Sequence, residues 1–313
     1  MLIVDGQIHL WEKGAPSPPH RQQPYSAEQA IAAMDQAGVD RALIHPVLWD
    51  PDSNELAIEA VRKYPNRFAI MGWFYLDDPN GRDLVARWKE RPGMLGLRFY
   101  FNERHKRDWM TDGSLDWLWP AAERAGLPVA LAAALFLPTV GQIAERHPGL
   151  KLIVDHMAVP PGSSGQSAYR FQPELLALAK YPNVAVKATG QPGYAEDVYP
   201  FRSFHQHLHR CFDAFGAERM FWGTDITRMP CSWRQCVTVF TEELPWLRGR
   251  DLELVMGRSP LQLGRLAPSR LSAAIDRGRK HEALCNLPHE RERRRPHSWQ
   301  SVAACREPHA GAV

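Results

Sequence analysis

The chain has 313 residues, 44% of them hydrophobic and 23% charged, which is enough apolar material for a large core and too little bias for general disorder. Of its 38 basic and 35 acidic residues, ten and five lie in 259–313, so the body at 1–258 is slightly acidic and the formal charge of +3 does not describe a nucleic-acid-binding surface. No window offers 18 uninterrupted apolar residues, no secretory leader opens the chain, and the five cysteines lack a CxxC spacing, so a cytoplasmic protein with reduced thiols and no membrane partner is expected.

Apolar, β-branched runs recur at intervals of roughly 30 residues. In chain order they are LIVDGQIHLW (2–11), RALIHPVLW (41–49), FAIMGWFYL (68–76), MLGLRFYF (94–101), PVALAAALFL (128–137), KLIVDHMAV (151–159), NVAVKATG (183–190) and RMFWGTDIT (219–227). The segments between them, such as SAEQAIAAMDQAG (26–38) and SNELAIEAVRKYP (53–65), open on Ser and close near Gly or Pro, as helices do. Eight buried strands alternating with helices over about 250 residues predict a parallel (β/α)8 barrel, a TIM barrel with its site at the C-terminal strand ends. A doubly wound open sheet would carry a Gly-rich phosphate loop after its first strand, and none is present. The GSSG at 162–165 lacks a lysine and reads as a plain loop, and HQHLHR (205–210) reads as a solvated helix face.

After Arg258 the character changes: 259–313 holds a single aromatic residue, Trp299, and its helical periodicity fades into Arg, Pro, His and Ser. The expectation is a barrel domain at 1–258 and a basic, disordered tail. A frameshift is also expected near residue 259. With a suitable choice of codons, deleting one base turns Ser-Pro-Leu-Gln-Leu-Gly-Arg-Leu into Ala-Leu-Cys-Asn-Trp-Ala-Gly-Trp, which would continue the preceding helix. The gene's nucleotides decide this.

Polar residues at strand ends are the candidates for chemistry: Gln7, His9, His45, Arg98, His156, Lys187 and Asp225, with Arg228 three positions further on. A carboxylate at Asp225 suits deprotonation of a water, His9 and His156 suit polarisation of a carbonyl, and the forks of Arg98 and Arg228 suit a substrate carboxylate. Gln7, His45 and Lys187 are further substrate-binding candidates. Trp11, Trp49, Trp73, Tyr75 and Tyr100 lie at or beyond strand ends and suit the walls of a pocket for a flat ring.

The order VDGQIHLW, LIVDHMA, VAVKATG and FWGTDIT resembles the amidohydrolase superfamily over residues 2–258, specifically the amidohydrolase-related branch of 2-pyrone-4,6-dicarboxylate lactonase-like and fuconolactonase-like hydrolases and metal-dependent decarboxylases. The resemblance implies paired histidines after strand one, one each after strands five and six, and an aspartate after strand eight. This chain matches at His9, His156 and Asp225, has Gln7 for the first histidine, and has no histidine in PVALAAALFL. An amide oxygen is a poor replacement for imidazole at zinc. A carboxylated-lactone hydrolase with Asp-activated water and no tightly bound metal is therefore the leading expectation, acting on a small molecule and forming a homodimer. The alternatives are a decarboxylase holding one divalent cation, Zn or Mn, on His9, His156 and Asp225, and a catalytically degenerate ligand-binding barrel.

Overall fold

The computed structural model describes residues 1–102 and 108–258, so the tail expected at 259–313 lies outside the described residues. Eight parallel strands follow one another around a nearly closed barrel: β1 (Val4–Ile8), β2 (Arg41–Ile44), β3 (Phe68–Gly72), β4 (Met94–Tyr100), β5 (Val129–Ala132), β6 (Leu152–Val154), β7 (Val184–Thr189) and β8 (Met220–Gly223). All eight expected runs contain a strand. The strands stop short of the apolar runs because the chain turns into short helical turns at the mouth, as at Asp155–Ala158 after β6 and Ile226–Arg228 after β8.

The helices between strands follow their local signals. Ala27–Ala37 starts at a reciprocal cap between Ser26 and Gln29 and ends at Gly38, whose φ of 77° only glycine adopts cheaply. Ser53–Lys63 turns Ala57, Ile58, Ala60 and Val61 inward. Among the described residues no helix is long and apolar enough to cross a membrane.

Period-two alternation builds the barrel interior in layers. Leu43, Met71, Ala130, Ile153, Ala185 and Phe221 form an apolar plug. Two residues beyond Leu43, Ile153 and Ala185 stand His45, Asp155 and Lys187, all buried, so a polar layer rests directly on the apolar one. The wet end of the barrel is thus dictated by three polar residues in strands that are otherwise apolar.

The seam between β8 and β1 is held by side chains. Asp5 is fully buried and accepts from the Gln7 N–H, the Thr224 N–H and the Trp233 indole, each at 2.9 Å, and also from the Thr224 hydroxyl. Backbones approach closely here: a Cβ on Gly6 would stand 2.7 Å from the Trp222 carbonyl oxygen. The pairing of β1 with β2 also shifts register between Asp5 and Ile8, a bulge that re-aims the end of β1.

Two expectations are corrected. HQHLHR is not simply solvated, because within the helix His205–Phe215 the ring of His207 is buried, stacks on Tyr169 at 3.8 Å and bonds Gln172 at 2.8 Å. Trp11 is not among the walls of the two cavities described below; it is 1% exposed and packs edge-on against Trp49 at 5.6 Å.

Burial pushes the Asp5 carboxyl up to about 6, although its four donors pull it down. A carboxyl raised on folding gives stability that is full below its unfolded pKa and is lost as pH rises through the folded one. Between pH 4 and 7 the wild type should therefore lose stability relative to Asp5→Asn by about 3 kcal/mol. Urea unfolding of both proteins at several pH values checks this, and a constant difference would contradict it.

Candidate active site

A cavity of about 520 Å³ opens at the C-terminal mouth of the barrel. His9, His20, Trp49, Arg98, His156, Asp225 and Arg228 are among its walls. His156 and Asp225 reach it through strained backbone. His156, Met157 and Ala158 have φ of 55°, 54° and 58°, and Asp225 has φ of 57°, all in the left-handed region that L residues avoid. The Asp225 N–H donates to the Gln7 carbonyl at 2.8 Å, which fixes the exit of β8 against β1.

Beneath the cavity lies a buried ionic floor. Lys187 Nζ stands 2.7 Å from Asp155 Oδ1 and donates to Gln7 Oε1 at 2.7 Å, while Arg98 Nε donates to Asp155 Oδ2 at 2.8 Å. Burial alone would raise the Asp155 carboxyl, but Lys187 and Arg98 outweigh it and hold it well below the usual carboxylate range. Burial pulls Lys187 down to about 8 against the attraction of Asp155. Burial and the adjacent Lys187 cation keep His45 neutral, its Nε2 lying 3.3 Å from Nζ and 3.1 Å from the Gly6 carbonyl oxygen.

This floor orients Gln7. With Oε1 committed to Lys187, its Nε2 faces two imidazoles, 3.4 Å from His9 Nε2 and 3.3 Å from His156 Nε2. His156 can receive an amide N–H on Nε2, since Thr189 Oγ1 at 2.8 Å can partner a proton on Nδ1, whereas His9 has an acceptor at both ring nitrogens, the His45 carbonyl 2.6 Å from Nδ1 and Asp225 3.1 Å from Nε2. Burial pushes His156 down to about 3 against the pull of Asp155 and Asp225. Nε2 of His156 thus faces the Gln7 amide at the edge of the cavity it lines.

Asp225 faces His9 from the other side, Oδ1 to Nε2 at 3.1 Å. Burial would raise its carboxyl, but His9, His20 and Arg228 prevail and keep it well below the usual range. Arg228 Nη1 is 3.7 Å from Asp225 Oδ2, and its guanidinium lies 4.7 Å above the Tyr194 ring. Burial pushes the Tyr194 hydroxyl up to about 12.

Of the residues expected to bind substrate, Arg98, Arg228 and Trp49 line the cavity and Tyr100 does so too. Gln7, His45 and Lys187 are not among its walls; they are buried in the floor, where Lys187 bridges Gln7 and Asp155 and lies 3.3 Å from His45 Nε2. Tyr75 and Trp73 line a neighbouring cavity. Two residues were missed. Asp155 precedes His156 in a strand-like run and looked like strand filling. His20 sits in a Pro-rich loop, and only its place just after the first strand hinted at the site.

His20 changes the metal question. One ligand atom each from His9, His20 and Asp225 lie within 4.8 Å of one another, a set that fits a divalent cation; the expected trio had His156 where the structure supplies His20. Burial pushes His20 down to about 4, which keeps it neutral, as a ligand must be.

A family model described as Amidohydrolase matches residues 4–298. L-fucono-1,5-lactonase of Burkholderia ambifaria is 24% identical over 230 residues, 71% of this chain and 79% of that protein. A zinc-bound amidohydrolase from Burkholderia multivorans shares the fold with a TM-score of 0.73 at 19% identity, over 85% of this chain and 100% of that one. So does a protein of Acinetobacter baumannii assigned as a 2-pyrone-4,6-dicarboxylic acid hydrolase and holding citric acid, with a TM-score of 0.65 at 14% identity over 85% and 100% of the two chains. The 2,6-dihydroxybenzoate decarboxylase of Rhizobium is similar as well, with a TM-score of 0.59 at 14% identity over 85% and 99%. These likenesses of structure speak to the fold, which hosts more than one chemistry.

Lys187→Met removes the cation bonded to Gln7 and one of the two cations paired with Asp155 among the described residues. A loss of roughly 3 kcal/mol or more in urea unfolding is expected, because a buried ion pair is broken from one side. A loss below about 1 kcal/mol would mean the floor is not the constraint described.

Proposed function

Since the chain belongs to the amidohydrolase family and is an enzyme of the hydrolase type, we propose that it hydrolyses a carboxylated lactone or a related cyclic ester with water activated at Asp225. The observation that carries this reading is the ionised Asp225 carboxylate in the cavity wall, 3.1 Å from His9 Nε2 and flanked by Arg228. The sequence relationship to a lactonase supports the same reaction class.

Asp225 is the proton acceptor, held in place by His9, whose Nδ1 faces the His45 carbonyl at 2.6 Å and whose Nε2 faces Oδ1 at 3.1 Å. The water proton passes to this pair through the carboxylate as the oxygen attacks the carbonyl carbon. Arg228 meets the charge that develops on the carbonyl oxygen. Collapse of the tetrahedral intermediate breaks the ring C–O bond, and the pair returns the proton to the leaving alkoxide. Arg98, whose Nε donates to Asp155, lines the cavity and presents a planar fork suited to a substrate carboxylate.

His9, His20 and Asp225 would hold a divalent cation, which when bound would polarise the carbonyl and acidify a water. The donor set supports weak retention of such a cation. The Gln7 amide nitrogen already lies 3.4 Å from His9 Nε2, and Arg228 and Lys187 add positive charge nearby.

Assay of a panel of lactones, including L-fucono-1,5-lactone and 2-pyrone-4,6-dicarboxylate, tests the reading. Carboxylated rings should give the higher kcat/KM, and Asp225→Asn should lower it about 10²–10⁴-fold with the thermal transition retained. Equal turnover of neutral and carboxylated rings would remove the role given to Arg98. Release of carbon dioxide from aryl acids without any lactone hydrolysis would replace the reading with decarboxylation.

A further inference from the structure

A second cavity of about 280 Å³ adjoins the first, and Leu48, Arg98 and Tyr100 belong to the walls of both. Its own walls are strongly aromatic. Trp73, Phe74, Tyr75 and Trp109 surround it, with Trp73 and Tyr75 edge to face at 5.1 Å and Phe74 against Phe99 at 5.4 Å. None of these rings has a part in the hydrolytic chemistry.

We propose that this annex is a specificity site for an aryl group carried by the carboxylated substrate, with the carboxylate on Arg98 and the flat ring between Trp73, Tyr75 and Trp109. Five observations meet here. The volume suits one aromatic ring, since a cavity of about 150 Å³ already accepts benzene. The walls present ring edges and faces, which pair with a further ring at 4.5–7 Å. Arg98 stands on the boundary between the cavities, and its Nε contact with the buried Asp155 pins the guanidinium there. Tyr75 is 63% exposed although it is a large aromatic side chain, as expected of a wall whose partner arrives with the ligand. The indole Nε1 of Trp73 is buried and has no hydrogen-bond partner among the described residues, so a polar ring substituent would find a donor there.

The inference rests on the lactonase reading for the reaction, but its test is a binding measurement. Titration calorimetry of the full chain with 3-phenylpropanoate and with propanoate compares a ligand that fills the annex with one that reaches Arg98 alone. The aryl acid should bind about 10-fold tighter or more, because a buried ring removes a large apolar area from water. Tyr75→Ala should cut that ratio several-fold and Tyr75→Phe should retain it, with circular dichroism confirming that both variants fold. Equal affinities of the two acids, or a ratio untouched by Tyr75→Ala, would overturn the annex. Lactone turnover without aryl preference sinks the annex alone, whereas aryl preference without lactone turnover sinks only the hydrolase reading.

Discussion

A buried ammonium organises the mouth of this barrel. Lys187 is 2% exposed and must find acceptors, and it takes Asp155 and the carbonyl oxygen of Gln7. Once that oxygen is committed, the amide nitrogen faces His9 and His156. Nε2 of His9 also stands 3.1 Å from Asp225, so Lys187 acts on the mouth without itself lining the cavity. Removing this charge would therefore disturb the Gln7 amide that both imidazoles face.

The backbone bears the strain of this arrangement at the strand ends. Asp5 ties β1 to β8, the Asp225 N–H donates to Gln7, and left-handed residues at His156 and Asp225 turn their side chains toward one cavity. Non-glycine residues hold such conformations only when the surroundings over-determine them, and they gather at functional sites. Here the surroundings are the seam and the ionic floor. The apolar plug below supplies burial and leaves the mouth free to be polar.

The barrel was legible because buried parallel strands are short apolar runs, and eight of them at even spacing leave few alternatives. The convergence of His9, Arg98, His156, Asp225 and Arg228 was legible for the same reason, since strand ends share one face of the fold. Burial depth was not. Gln7, His45 and Lys187 looked like substrate contacts because polar residues at strand ends usually meet solvent, yet the layer they occupy is sealed by Asp155, whose charge no local pattern revealed. His20 was missed because a loop's path across the barrel mouth depends on tertiary contacts, here a bond to Thr227 at 2.9 Å. The buried stacking of His207 on Tyr169 escaped a helix-face argument in the same way.

The central proposal is that the Gln7 amide occupies the side of His9 Nε2 that a cation on His9, His20 and Asp225 would contest, and that hydrolysis needs no tightly held metal. Zinc, manganese and iron per chain should be measured before and after dialysis against a chelator, together with lactone turnover on the same samples. The account expects metal well below one equivalent and turnover that survives chelation. Near-stoichiometric metal, with turnover lost on chelation and restored by zinc or manganese, would contradict it and assign His9, His20 and Asp225 to the ion.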